Sequence, residues 1–257
     1  LDSNSLAGNK EHFGFRDGIA QPYISELDPG ARHHPSGAEP MALGELLLGY
    51  DNGYGRLTQR PMLTAGEDPR RILSVADDTP DKRDLGKNGS YLVFRQLQQD
   101  VPRFWAFMRE SAENGEDAVC LASKMVGRWP SGVPLVLEPE QDPGEVVNMA
   151  LDEFGYHHVD PAGLRCPLGS HIRRTNPRDS LNPKPGTKKS LDFSNRHRIV
   201  RRGRAYGEPL ADSMAASELM AASDDGGKRG LHFLCLNANI GRQFEFDLCH
   251  IQTFPSL

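Results

Sequence analysis

Apolar residues recur at three- and four-residue spacing in one part of the chain and crowd into short runs in others, and these patterns locate most of its regular structure. Between residues 101 and 112, Val101, Phe104, Trp105 and Met108 fall on one face of a helix. Asp100 stands just before that face as a helix N-cap, because its carboxylate can accept an amide N–H of the first turn. Asn114–Gly115 ends this helix, and a second is predicted over 116–127 with Val119, Cys120, Ala122, Ser123 and Val126. Ser90–Gln96, rich in aromatic and aliphatic residues and entered through Asn88–Gly89, reads as a strand. Leu231–Ala238 reads as another, followed by an amphipathic helix over about 240–251. Strand, helix, helix, and much later strand and helix imply an α+β layer joined by long functional loops. Residues 1–89 read mostly as loops, rich in Gly, Pro and Asp with short apolar pieces such as Leu46–Tyr50. Within them, residues 56–87 are polar and without period, so they are expected to be partly mobile.

Composition narrows the class. The 257 residues are 37% hydrophobic and 25% charged, an ordinary balance for a soluble globular protein. With 26 Gly and 19 Pro the chain is too rich in turn formers for a helical bundle. A net charge of -5 argues against nucleic acid as a partner. No apolar run approaches the roughly 20 residues of a membrane helix. Cys120, Cys166, Cys235 and Cys249 are far apart with no C-x-x-C pair, which disfavours a zinc ribbon and predicts buried free thiols. The first residue is Leu1 rather than Met, so a truncated or processed start is expected and the sequence leaves the compartment open.

Three segments carry candidate chemistry. The first runs His12-Phe13-Gly14-Phe15-Arg16-Asp17-Gly18-Ile19-Ala20-Gln21-Pro22, a turn with one acid among glycines and aromatics; alone it is a weak motif that reads first as a plain Asx turn. The second runs Cys166-Pro167-Leu168-Gly169-Ser170-His171-Ile172-Arg173-Arg174-Thr175-Asn176-Pro177-Arg178-Asp179. His171 could ligate a metal through its neutral imidazole, or be a plain histidine beside a basic patch. The arginines after it could pair bidentately with carboxylates. The third, His197 to Gly207, alternates as a strand, so Arg201 and Arg202 point to opposite sides. No spacing among His12, His33, His34, His157 and His158 calls for a second metal. Trp105 reads as packing; Trp129 and Tyr206 could relay electrons to bulky substrates, or serve structure alone.

In this order, the segments G-F-R-D-G-I-A-Q-P, G-S-H-I-R-R-T-N-P-R-D and R-I-V-R-R-G-R-A-Y-G resemble the signature of the dye-decolourising haem peroxidases. Gly86–Arg95 and Gly230–Phe246 match that family as well, so the resemblance runs to about Phe246. It implies haem b as cofactor, with His171 as the proximal ligand of the iron and Asp17 on the peroxide side. Arg201 aligns with the distal arginine, Arg202 being the alternative, and Arg174 and Phe244 are carried over as cofactor contacts. Asn239 aligns with the position that partners the proximal imidazole, where the family usually has a carboxylate; Asp247 lies further along. The implied reaction uses hydrogen peroxide to oxidise small organic donors, without nucleic acid or membrane and with homo-oligomers allowed. The alternative is a haem-binding or haem-handling protein without turnover. The implied fold is a ferredoxin-like half of the dimeric α+β barrel type with long haem-wrapping loops, its first half largely missing. Residues 1–89 would form a loop-rich distal segment and residues 90–257 the ferredoxin-like haem-binding region of one domain.

Overall fold

The computed structural model describes residues 6–24, 26–27, 40–112, 117–144 and 150–248. Two three-stranded antiparallel sheets organise them. The smaller joins β1 (Met62–Thr64), β2 (Val75–Ala76) and β3 (Thr79–Asp84) in the order β1-β3-β2. It occupies the polar stretch in which the sequence pattern predicts no ordered element. The reason is electrostatic: Arg60, with a side chain 1% exposed, donates through Nε to Asp84 at 2.6 Å and through Nη2 to Asp78 at 2.7 Å. One buried guanidinium thus gathers the polar strands, and no hydrophobic period is needed.

The larger sheet positions the candidate site. It contains β4 (Tyr91–Gln98), β5 (Val200–Tyr206) and β6 (Gly230–Asn237) in the order β4-β6-β5. β6 runs antiparallel to both neighbours, so β4 and β5 run the same way with β6 inserted between them. This is the split βαβ arrangement of ferredoxin-like α+β folds. Register places Val93, Cys235 and Arg201 in one row across the sheet and Arg95, Phe233 and Gly203 in the next row on the same face. The opposite face carries Leu92, Phe94 and Leu236, which are exposed.

Between β4 and β5 lie α1 (Val101–Ser111), α2 (Ala118–Val126), α3 (His171–Thr175) and α4 (Lys188–Asn195); α5 (Ala216–Ala221) precedes β6. Asp100 caps α1 as its sequence position predicts, accepting the Arg103 N–H at 3.1 Å. Val101, Trp105 and Met108 are fully buried against α2 and α5, and Phe15 stacks on Trp105 with ring centroids 6.5 Å apart. Ala205 of β5 joins the same cluster, so this core fixes the first motif against the sheet. A second cluster holds Trp129, Tyr156 and Cys166 beneath the segment that leads into α3. Trp129 is buried, its Nε1–H spent on the Glu138 carbonyl at 2.6 Å. Cys120, Cys166 and Cys235 are free thiols, the latter two buried; Cys249 lies outside the described residues, as do His33, His34 and the predicted helix beyond residue 248. In place of that helix's first turns the chain forms a π-helix, Gly241–Glu245.

Candidate active site

Asp17 sits where the first motif bends toward β5. The bend is held by one backbone bond and one side chain: the Asp17 N–H donates to the Asn9 carbonyl at 2.8 Å, and the Phe15 N–H donates to Glu11 Oε1 at 2.9 Å. Arg201 reaches across from the strand and grips the bend twice. Its Nη1 donates to Asp17 Oδ1 at 2.9 Å and its Nη2 to the Ile19 carbonyl at 3.0 Å. Arg202, one residue on, points to the other face and is exposed, as strand alternation requires. The structure therefore joins Asp17 to Arg201 and leaves Arg202 out of the pair.

Close approach of the acid to the strand depends on Gly203. A Cβ at that position would lie 2.3 Å from Asp17 Oδ2, inside any tolerable contact. A cavity of about 270 Å³ opens beside Asp17, with Glu11, Arg16, Gly203, Ala205 and Leu231 in its wall. That is room for several water-sized molecules next to a carboxylate.

His171 is the first residue of α3 and is held from below rather than by its own ring. Arg173 is buried and donates to Asp160 Oδ2 at 3.0 Å, to the Asp160 carbonyl at 2.7 Å and to the Cys166 carbonyl at 2.8 Å. Its guanidinium also lies 4.4 Å over the Tyr156 ring. Gly127 ends α2 at φ +94, a left-handed conformation suited to glycine. A Cβ there would lie 2.4 Å from Ile172 Cγ1, so this glycine lets the histidine segment dock. The imidazole itself is solvent-accessible, yet protein atoms enclose it so closely that its pKa falls to about 4. Desolvation is the chief cause, with the Arg201 charge adding and the Asp17 charge opposing. A lowered pKa keeps the accessible ring neutral in mild acid, the form in which histidine binds a metal.

The remaining expected contacts are placed unevenly. Phe244 is buried on the Arg201 face of the sheet, 6.2 Å from the Phe233 ring and 5.3 Å beneath the Arg95 guanidinium. Arg174 is half-buried on α3 beside Gly169. Asn239 uses its Oδ1 to accept the Arg242 N–H at 2.9 Å, opening the π-helix, and makes no hydrogen bond to His171. Asp247 is buried near the positive charges of Arg198 and Arg201; burial outweighs them and pushes its carboxyl up to about 8. Two groups around the bend have no counterpart among the expected site residues: Asp152, whose Oδ2 accepts the Ala20 N–H at 2.9 Å, and Arg198, whose Nη2 donates to the Ala20 carbonyl at 2.6 Å. Arg198 lies inside the third motif, three residues before Arg201, and that position is the only sign of it in the sequence. Asp152 follows no motif.

This donor set fits haem. A neutral accessible imidazole is the usual proximal ligand, and a carboxylate paired with an arginine stands within electrostatic reach of it.

No family model matches the chain. Among curated proteins, it is 33% identical over 243 residues to Peroxidase 2 of Mycetinis scorodonius, covering 92% of this chain and 40% of that protein. It is 31% identical over 254 residues to the multifunctional dye peroxidase DyP2 of an Amycolatopsis species, covering 95% and 46%. Among solved structures, an ancestral D-type dye-decolorizing peroxidase superposes with TM-score 0.69 at 29% identity, covering 98% of this chain and 50% of that one. A dye-decolorizing peroxidase in complex with 2,6-dimethoxyphenol superposes with TM-score 0.69 at 27% identity, covering 100% and 53%. The chain thus spans under half the length of these curated relatives. Over that span, the chain is similar in sequence and in fold to dye-decolorizing peroxidases.

Proposed function

We propose that the chain carries the haem b site of a peroxidase that uses hydrogen peroxide to oxidise small organic donors such as dyes and phenolics. The observation that carries this reading is the Asp17–Arg201 ion pair, its partners 184 residues apart in sequence, lying within electrostatic reach of an accessible neutral His171. His171 would ligate the iron on the proximal side, and Arg174 and Phe244 would contact the cofactor. Haem, when bound, supplies the electron chemistry, and the protein supplies placement and field.

Asp17 is the proton carrier in this reading. A carboxylate takes a proton from one peroxide oxygen and returns it to the other, which eases departure of water. Arg201 holds the carboxylate in place and offsets negative charge that develops as the oxygens separate. Residues 1–89 would form the loop-rich distal segment and residues 90–257 the ferredoxin-like haem-binding region, which carries both His171 and Arg201, within one domain.

One observation favours the alternative of haem binding without turnover. Among the described residues none hydrogen-bonds the His171 imidazole, and such a partner normally raises the basicity of a metal-bound histidine. Adding haem and following the Soret band separates the readings. The band is expected to appear and to be lost in His171→Ala. Asp17→Asn and Arg201→Leu are expected to keep the band and lose peroxide-dependent dye oxidation. A chain that takes up no haem refutes both readings, and a band without turnover in the unsubstituted chain selects the second.

A further inference from the structure

We propose that Asp152 is a positioning residue whose single carboxylate ties the segment carrying Asp17 to the segment carrying His171. The proposal rests on the peroxidase reading for its functional consequence, but not for its geometry. Asp152 is 3% exposed and lies in a turn beside Leu151 and Phe154, which pack on the second core. Its Oδ1 accepts from Arg128 Nη2 at 2.9 Å and from Arg178 Nη2 at 3.3 Å. Its Oδ2 accepts the N–H of Ala20 at 2.9 Å, three residues after Asp17. Arg178 belongs to the histidine motif, seven residues after His171, and binds the Asp152 carbonyl as well, at 2.6 Å. Arg128 follows Gly127, against which Ile172 packs. One side chain thus bonds the Asp17 bend, the end of α2 and the histidine motif.

β5 is reached from the other side of the same peptide. Arg198, at the entrance to the strand, donates to the Ala20 carbonyl at 2.6 Å, while Arg201 donates to the carbonyl of Ile19. Ala20 itself has φ +61, a left-handed conformation that an alanine does not adopt unaided. Bonds on both sides of the residue hold it there.

The cluster is more than a structural ion pair. Arg128 and Arg178 are two buried cations paired with one carboxylate, and the half-buried Arg198 adds its charge nearby. Oδ1 alone serves both the Arg128 and the Arg178 guanidinium. The second oxygen instead accepts a neutral backbone N–H in the Asp17 bend. That choice makes sense if placing the bend is the cluster's task.

Asp152→Asn keeps the side-chain shape and removes the charge that orients it. In the 257-residue chain without haem, hydrogen exchange at residues 18–21 is expected to accelerate at least tenfold. With haem added, the Soret band is expected to persist. The peroxide kcat/KM should fall by about a hundredfold, as for a catalytic group displaced by roughly 1 Å, with the KM for the dye unchanged. Arg60→Gln, which breaks a comparable buried ion pair in the small sheet, serves as the control for general destabilisation and should leave exchange at 18–21 unaltered. If Asp152→Asn does not fold, Arg178→Lys takes its place; it keeps the charge, loses the bonds to the Asp152 and Phe154 carbonyls, and should move both readouts in the same direction. Exchange at 18–21 equal to that of the unsubstituted chain, or equally fast in the Arg60→Gln control, overturns the proposal. Because exchange is read without haem, it tests the tie even where the peroxidase reading fails, and the two failures are told apart.

Discussion

Gly203→Ala adds one methyl group and tests whether the position of Asp17 is what matters at this site. The new Cβ would lie 2.3 Å from Asp17 Oδ2, 3.5 Å from its Cγ and 3.1 Å from Leu231 Cδ1. Contacts between a carbon and a carboxylate oxygen settle near 3.4 Å, so the acid must retreat by about 1 Å. Its Oδ1 is bonded to Arg201 at 2.9 Å, so the retreat either breaks that bond or drags the arginine along. A displacement of about 1 Å at a reacting group costs roughly a hundredfold in rate, or about 2.7 kcal/mol of transition-state stabilisation. Stability should hardly change. The two side chains are 32% and 25% exposed, and a pair so open to water is worth less than about 1 kcal/mol. For a chain of this size that corresponds to a Tm change of at most about 4 °C. The assay is the initial rate of peroxide-dependent dye oxidation, normalised to the Soret band as a count of occupied sites. In an Asp17→Asn background the same substitution should cost nothing further, because the group it displaces is already disabled. Rates within threefold of the unsubstituted chain at equal Soret intensity would refute the reasoning. So would a full additional loss in the Asp17→Asn background.

Other perturbations test the frame around the site. Asp247 has its folded pKa raised from 3.8 to about 8, so its contribution to stability is present in full below about pH 4 and is lost as pH rises through 8. Asp247→Asn should therefore be more stable than the unsubstituted chain at pH 9 and lose that advantage progressively down to about pH 4. The limiting slope of the difference is about 1.4 kcal/mol per pH unit in urea unfolding, and a pH-independent difference refutes the buried acid. Asp100→Ala removes the cap of α1 and should lower stability by about 0.5–2 kcal/mol, read as a fall in Tm with haem uptake unchanged. Arg60→Met strands the buried Asp84 carboxylate and should cost about 3–5 kcal/mol locally, with hydrogen exchange rising across residues 62–84 and not in β4 or β6.

What the sequence discloses follows from how local each signal is. The helix at Val101–Ser111 and the strands at Tyr91–Gln98 and Gly230–Asn237 lie within two residues of their predicted bounds, because burial on one face, a cap and a turn are all local events. The stretch 56–87 fails by the same logic. Its strands are two to six residues long and half exposed, and a guanidinium holds them rather than an apolar face, so they leave no period to read. Asp17 and Arg201 are legible only as members of an ordered set of motifs, since nothing in either segment announces a partner 184 residues away.

Asn239 shows how a local demand can outbid a distant one. Its position matches that of a partner for the proximal imidazole, but its oxygen is taken by the first turn of the π-helix beside it. Asp152 is the converse case. Its distinctive bond is to a backbone N–H, a donor that every residue but proline offers, so no residue type at position 20 could have pointed to it. The groups that place Asp17 are therefore the ones that sequence patterns describe least: a glycine whose missing methyl makes room, an alanine held at positive φ, and an acid bonded to a peptide. Each departs from what its own residue would do unaided, and the departures converge on the same four-residue bend. A fold that needed the bend only as a connection would gain nothing by constraining it from three directions, which is why the constraint itself is evidence of function.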